Sequence, residues 1–412
     1  MKLLQINITV NNGSTGRIAE EIGVLAQSQG WESYIAFSRG KAISESNLIR
    51  IGNVFDTYIH GVQTRLLDNH GLGSVVSTLK LIKKIKEISP DIIHLHNIHG
   101  YYLNYPLLFK YLSESNIPVV WTLHDCWSFT GHCAYYTYVN CNKWKVQCFD
   151  CPQKKNYPAS ILIDRSRLNY KNKKDCFTSI PNMVLVTVSD WLSNEVQKSF
   201  LNKYSIKTIH NGIDLKTFTI NDISKNKLSL ENSFIILGVA NVWEPRKGLA
   251  DFIHLRNLLS SKYVIILIGL TQKQIDDLPE GIIGIKRTNS INELAQYYSM
   301  SDIYVNLSVE ETFGMTTCES MACGTPVIVY NSTACPEIVT KETGFVVESG
   351  DLKSVVECIK VVQENGKEKY KYACRKRVIQ YYNKEDKYRE YLQLYNQLLK
   401  SKNENISNYN NL

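Results

Sequence analysis

Two carboxylates eight positions apart, in Glu311-Thr-Phe-Gly-Met-Thr-Thr-Cys-Glu319, are the residues whose spacing points most directly to ligand chemistry. The apolar run Ile303 to Leu307 precedes them, and Cys323-Gly-Thr-Pro326 with the run to Tyr330 follows. The pattern predicts strand, loop, short helix, strand. Glu311 then falls in the loop, Gly314 near the first helical turn between Phe313, Met315 and Thr316, and Glu319 more than a turn further in. A helix start presents unpaired N–H groups and the positive end of the helix dipole, which suits a diphosphate, and Gly314 lets the backbone come close. An ordinary βαβ connection with a polar loop is the competing reading of this stretch taken alone.

Other groups of the right type sit where strands should end. In Asn241-Val-Trp-Glu-Pro-Arg-Lys-Gly248, a loop entering a helix, Arg246 and Lys247 can each neutralise a phosphate, or stand as a solvated pair of charges. The segment His94-Leu-His-Asn-Ile-His-Gly100 closes one apolar run with Asn97 and His99, and Val119 to Leu123 closes on His124-Asp125. Ligands of open parallel sheets bind at the carboxyl ends of strands, so these are site candidates, with His124 foremost. Near the N-terminus a turn containing Gly13, Ser14, Gly16 and Arg17 links an alternating run to a helical one. It is either a phosphate- or sugar-approaching loop or a plain tight turn.

Cys126, Cys133, Cys141, Cys148 and Cys151 crowd one stretch, with Trp127, Tyr135, Tyr136 and Trp144 among them. Cys133, Cys141, Cys148 and Cys151 have the spacing of a structural four-cysteine zinc site that staples a polar insertion of about 126–158. Only one pair has the two-residue spacing, so free thiols remain open, and disulfides are a third reading.

The elements that must position these residues follow from the pattern of apolar runs. Strands are expected at Lys2 to Val10, Tyr34 to Ser38, Asp91 to His96, Val119 to Leu123, Met183 to Val188 and Ser205 to Ile209. The pattern restarts at Phe234 to Ala240, Tyr263 to Ile268, Ile282 to Ile285, Ile303 to Leu307 and Val327 to Tyr330. At 412 residues the chain exceeds one core. An α/β protein of two doubly wound, Rossmann-like domains facing a cleft is expected, with domains at 1–211 and 212–381. The polar stretch Asn221 to Asn232 lies just past the boundary. A helical stripe of Tyr388, Tyr391, Leu392, Tyr395, Leu398 and Leu399 marks a final helix over 382–400, and 401–412 reads as a flexible tail.

Composition narrows the classes. With 44% hydrophobic residues and a formal charge of +8, the chain is globular and moderately basic, compatible with an anionic substrate or an acidic membrane surface; that charge is too diffuse to argue for nucleic acid. Gln5, Asn7 and Thr9 interrupt any signal-peptide core, and no apolar run reaches membrane-spanning length, which predicts a cytoplasmic protein. Val75 to Ile88 mixes Lys80, Lys83, Lys84 and Lys86 with apolar residues, either as a surface helix or as a basic face resting on anionic lipid at the inner face of the plasma membrane.

The Glu-x7-Glu element, Arg246-Lys247-Gly248, Asn211-Gly-Ile-Asp214 and the Gly13 to Gly16 loop, in this order along nearly the whole chain, resemble the retaining GT-B glycosyltransferases of family 4 (group 1). The resemblance implies a nucleotide-sugar donor, UDP- or GDP-linked, held mainly by the C-terminal domain, and a last helix that crosses back to the first. Glu319 resembles the glutamate on the ribose hydroxyls, and Glu311 the one on the donor sugar, as nucleophile or as orienting group. The amides from Phe313 to Thr316, with Gly13, Ser14 and Gly16, would bind the donor. Lys247, with Arg246, would stabilise the leaving phosphate, and His124 resembles the histidine beside the sugar. Asn97, His99, Arg17 and Asp125 would lie on the acceptor side.

One position departs from the family pattern: Ala240-Asn241 stands where Gly-Arg is usual, and Arg246 is the candidate substitute. No catalytic metal is implied, and the chain has no Asp-x-Asp. The implied acceptor is a glycan or lipid-linked oligosaccharide of capsule, O-antigen or exopolysaccharide assembly. Two alternatives stand beside this reading. One is an epimerase or phosphorylase on the same fold; the other is a non-enzymatic, zinc-stapled basic module.

Overall fold

A computed structural model describes residues 1–40, 43–221, 225 and 230–410, and of residues 405–410 the backbone alone. Most of the polar stretch between Asn221 and Asn232 lies outside the described residues. Contacts divide the chain into one unit of Met1–His210 with Lys387–Leu412, and a second of Asn211–Asp386.

Among the described residues the first unit holds seven strands: β1 (Lys2–Ile6), β2 (Glu32–Phe37), β3 (Asn47–Arg50), β4 (Ile92–Leu95), β5 (Val119–Leu123), β6 (Met183–Thr187) and β7 (Ser205–Thr208). Its helices are α1 (Gly13–Ser28), α2 (Val54–Leu67), α3 (Val75–Ile88), α4 (Tyr105–Glu114), α5 (Ser166–Phe177) and α6 (Asp190–Gln197). The second unit holds β8 (Phe234–Val239), β9 (Tyr263–Ile268), β10 (Ile282–Ile285), β11 (Ile303–Asn306), β12 (Val327–Tyr330) and β13 (Gly344–Val347). Its helices are α7 (Leu249–Leu258), α8 (Gln272–Asp276), α9 (Ile291–Met300), α10 (Met315–Ala322), α11 (Cys335–Ile338), α12 (Leu352–Asn365) and α13 (Glu368–Tyr382). The last helix, α14 (Lys384–Asn410), joins the first unit from Lys387 onward.

Both sheets are parallel, in the orders β3-β2-β1-β4-β5-β6-β7 and β10-β9-β8-β11-β12-β13. Each winds outward from its first strand in one direction and then the other, so each has a switch point, between β1 and β4 and between β8 and β11. Strands such as β5 and β12 are buried at every position, which is why they read as unbroken apolar runs.

Burial explains the last helix. Tyr388, Tyr391, Leu392 and Tyr395 share one core cluster with Leu3, Ile22, Trp31 and Val120 of the first unit. Two of their hydroxyls also find polar partners there: Tyr395 bonds His94 Nδ1 at 2.6 Å, and the Tyr391 hydroxyl lies 3.2 Å from Thr122 Oγ1. The apolar stripe thus belongs to the first sheet's core, and α14 continues as helix past Lys402 to Asn410.

Two strands have no counterpart in the sequence pattern. β3 is four residues, mostly exposed, at one sheet edge; β13 opens on Gly344 at the edge of the other sheet. A Cβ at Gly344 would stand 2.0 Å from the Val327 carbonyl, so glycine is required where it pairs with β12.

Candidate active site

At the switch point of the second sheet, two loops meet. A short 3-10 turn, Pro245–Lys247, ends on Gly248 at φ +79°. A Cβ there would stand 2.3 Å from the Leu307 carbonyl, so this glycine alone lets the turn lie against the end of β11. The contact is secured by Val309 N–H donating to the Arg246 carbonyl at 2.9 Å. It delivers Lys247 to Glu311: Nζ and Oε1 are 2.5 Å apart, both side chains less than one-fifth exposed. Arg246 is turned differently, its Nε on Glu244 at 2.9 Å and its Nη1 on the Glu310 carbonyl at 3.1 Å.

Glu311 is fixed by its backbone as well. Its N–H donates to Thr333 Oγ1 at 2.9 Å, and its carbonyl accepts from Ala334 N–H. Gly314, at φ +102°, then caps α10. The leading N–H groups of that helix, of Met315 and Thr316, have no carbonyl inside it. Thr316 Oγ1 accepts from the Tyr304 hydroxyl at 2.7 Å, and Asn306 Nδ2 donates to Thr317 Oγ1 at 3.2 Å, so side chains of β11 aim the helix start. Phe313 is buried against the Tyr382 ring. One turn in, Glu319 is 5% exposed and its Oε2 accepts from the Tyr298 hydroxyl at 3.0 Å. Asn241, at the family's departure point, is exposed. The second unit therefore gathers Arg246, Lys247, Glu311, Phe313, Gly314, Met315, Thr316 and Glu319 around one strand end and one helix start.

The first unit gathers another set at the ends of three adjacent strands. Asn7 follows β1, His96 and Asn97 follow β4, and His124 and Asp125 follow β5. Gln5 fixes the protons here. Its Nε2 donates to the Ala19 carbonyl at 2.7 Å, so its Oε1 must accept from His96 Nε2, 3.0 Å away. Neutral His96 then accepts at Nδ1 from His124 Nε2, at 3.2 Å. Burial holds His124 down to about pKa 4 and His94 and His96 well below the ordinary imidazole value, so all three are neutral near pH 7.

His99 bridges Asp125 Oδ2 at 2.8 Å and the Tyr157 hydroxyl at 2.9 Å. Burial alone would raise the Asp125 carboxyl, but the His99 imidazole and the Trp127 N–H together hold it below its usual range. The Asn7 side chain joins the neighbouring loops: its Oδ1 accepts from Asn97 N–H at 3.2 Å, and its Nδ2 donates to Thr15 Oγ1 at 3.4 Å. Gly13, at φ +67°, opens α1 beside exposed Ser14. Gly16 is buried where a Cβ would stand 2.7 Å from Thr9 Oγ1, and Arg17 is half-buried on the same helix.

Cys133, Cys141, Cys148 and Cys151 all line one pocket, and none of the four is in a disulfide. Among the described residues no three of their sulfurs lie within 4.8 Å of one another. Sequence reasoning missed two residues of this region. His132 lines the same pocket, and its partner Asp68 lies 64 positions away, so no local pattern could have revealed the pair. Among the described residues no helix is long and apolar enough to cross a membrane.

Comparison with known proteins agrees with this architecture. A family profile described as Glycosyltransferase Family 4 matches residues 15–217, and one described as Glycosyl transferases group 1 matches residues 233–365. The WcaC glycosyl transferase named for colanic acid biosynthesis in Escherichia coli K12 is 24% identical over 376 residues, 87% of this chain and 90% of its own length. The capsular polysaccharide biosynthesis glycosyltransferase CapM of Staphylococcus aureus is 26% identical over 238 residues, 52% of this chain and 62% of its own. Among solved structures, sucrose-phosphate synthase of Thermosynechococcus elongatus superposes with a TM-score of 0.72 at 16% identity, covering 97% of this chain and 99% of its own. HepE of Anabaena, solved with UDP and glucose, gives 0.67 at 14% identity, covering 96% and 99%.

Proposed function

Because the chain belongs to the group 1, family 4 glycosyltransferases of GT-B fold, we propose that it moves a glycosyl group, with retention of anomeric configuration, from a nucleoside diphosphate sugar to a glycan or lipid-linked oligosaccharide. The names of WcaC and CapM support surface-polysaccharide assembly as the setting, and the UDP and glucose held by HepE support a nucleotide-sugar donor.

The observation that carries this reading is the Lys247–Glu311 pair beside the start of α10. Lys247 and the Met315 and Thr316 amides supply positive potential where a diphosphate would depart, the electrostatic contribution that usually dominates such catalysis. Glu319, oriented by Tyr298, takes the ribose hydroxyls; a carboxylate has acceptor sites beyond the one that tyrosine uses. The bond from the anomeric carbon to the diphosphate oxygen breaks, a bond to the acceptor oxygen forms, and the acceptor's proton leaves on the departing diphosphate. Glu311, held by an ammonium 2.5 Å away, is a weakened nucleophile, which favours the orienting role. His124, neutral and bonded through Nε2, is assigned to the sugar, and Asn97, His99 and Asp125 to the acceptor side.

A membrane-borne acceptor is supported by α2. This helix buries His60 and Thr64 and exposes Phe55, Tyr58, Ile59 and Leu66, the reverse of a core-facing helix. Ile161 and Leu162, each more than 60% exposed, are tied to it by Ile161 N–H on the Arg65 carbonyl at 2.7 Å. On α3, Val76 and Leu79 are exposed near Lys80, Lys83 and Lys84. An apolar face with cations beside it fits peripheral contact with anionic lipid.

Thermal shift of the full chain against a panel of UDP-, GDP- and ADP-sugars, followed by an acceptor-transfer assay, tests the reading. Stabilisation by one nucleotide class with sugar appearing on an acceptor is expected. Release or isomerisation of the sugar without transfer would support a phosphorylase or an epimerase, and no nucleotide binding at all would support a non-enzymatic module.

A further inference from the structure

Two buried basic groups that the glycosyl-transfer site does not use lie at the cysteine-rich segment: His132 lines its pocket, and Lys173 bonds its backbone. His132 is 2% exposed; its Nδ1 lies 2.6 Å from Asp68 Oδ1, and its Nε2 has no hydrogen-bond partner. A histidine held by a carboxylate at one nitrogen and open at the other is the arrangement found around metal centres. Lys173 is 1% exposed, and its Nζ donates to two carbonyls, Trp127 at 2.7 Å and Thr130 at 3.0 Å, neither of them an anion. Burial pushes the Lys173 ammonium down to about pKa 7, and the negative groups that favour its charged form are the Cys148 and Cys133 sulfurs with Asp68 and Asp125.

Ionised together, the sulfurs would be the nearest of these negative groups. Cys133 and Cys151 are hydrogen-bonded to each other, and Gly131 N–H donates to Cys148 Sγ at 3.1 Å. Gly131 lies where a Cβ would stand 2.1 Å from the Ser166 carbonyl and 2.6 Å from the Cβ of Cys148, so glycine is required between the two. Lys143 Nζ ties the intervening loop by bonds of 3.0 Å to the Phe149 and Asp150 carbonyls.

We propose that Cys133, Cys141, Cys148 and Cys151 hold one zinc ion as a tetrathiolate centre, flanked by the Asp68-oriented His132 and by Lys173. Four thiolates outweigh the charge of the ion, and Lys173 offsets part of the excess, while a protonated His132 is balanced by Asp68. Zinc–sulfur bonds of about 2.3 Å require the sulfurs to draw closer than they stand here, and each thiol loses its proton as the ion binds. The centre staples residues 126–165, a segment that places Tyr157 on His99.

The test is metal analysis of the full chain purified without chelator or added zinc. About one zinc per chain is expected, released stoichiometrically by a mercurial thiol reagent, with a thiolate-to-cobalt charge-transfer band when cobalt replaces it. Cys148→Ser with Cys151→Ser should abolish the metal, whereas Cys358→Ser should retain it. Chelation of the wild-type chain should expose residues 126–165 to limited proteolysis, a readout that needs no variant to fold. Folded wild-type chain without near-stoichiometric metal, a full complement of metal in the double variant, or a disulfide among the four cysteines in freshly purified protein would each overturn the proposal.

Discussion

Lys247 Nζ meets Glu311 Oε1 at 2.5 Å across 64 residues of chain, and the meeting depends on Gly248 lying against the carbonyl of Leu307. The pair places a cation at the open end of α10 and holds a carboxylate beside it. Removing the cation should therefore affect turnover more than binding. Lys247→Met is expected to lower kcat by about 100-fold with a smaller change in donor KM, the scale of losing one oxyanion-stabilising group. Lys247→Arg should recover part of the rate. Initial-rate kinetics on the two variants check this.

Gly248→Ala tests the same geometry from the backbone. At φ +79° and with Leu307 O in the way, alanine must displace the turn. A stability loss of about 1–3 kcal/mol is expected, together with a fall in kcat, because Lys247 moves with the turn. Thermal denaturation and kinetics on one preparation suffice.

Buried neutral histidines make a pH prediction for the first unit. His60 is held down to about 4 by burial, its Nε2 accepting from the Gly71 and Gly73 amides, and His94 and His96 lie well below the ordinary value for the same reason. These folded-state values are depressed, so the unfolded chain takes up protons first as pH falls. Stability from these groups is fully present above about pH 6.5 and declines as pH drops toward the folded values, by about 1 kcal/mol per histidine between pH 6.5 and 5.5. Urea unfolding at a series of pH values from 7.5 to about 5 should show this slope. His60→Gln should reduce it.

The exposed face of α2 gives a prediction about location. Phe55→Glu with Ile59→Glu removes apolar area from an exposed face, Phe55 67% and Ile59 41% accessible, so folding should be little affected. Sedimentation with phosphatidylglycerol vesicles should fall several-fold relative to wild type, while transfer to a water-soluble acceptor analogue stays unchanged. Unaltered vesicle binding would remove α2 from the proposed contact.

How far these relationships were legible depends on their range in sequence. β5, β9 and β12 occupy the expected residues, because buried parallel strands read as continuous apolar runs, and so does β10, a half-exposed edge strand rich in isoleucine. The helix start after Gly314 was legible from the strand, glycine and apolar pattern around it. The edge strands β3 and β13 were not, since the apolar pair of β3 lies between Asn47 and Arg50 and the run of β13 is only Phe345 to Val347. The individual residues Lys247 and Glu311 could be chosen by type and by resemblance, but their pairing could not, being a product of the switch-point topology. The same holds for Gln5, which sets the protonation of His96 and so of His124 through a carbonyl on α1. The inverted face of α2 is visible only once His60 is seen to be fully buried.

The division of labour between the two glutamates is the centre of the functional account, and calorimetric titration of Glu319→Ala and Glu311→Ala with the preferred nucleoside diphosphate tests it most directly. The account predicts that Glu319→Ala weakens nucleotide binding about 10-fold or more, the scale of losing charge-assisted hydrogen bonds, while Glu311→Ala binds nearly as wild type yet turns over poorly. Nucleotide affinity unchanged by Glu319→Ala would contradict it.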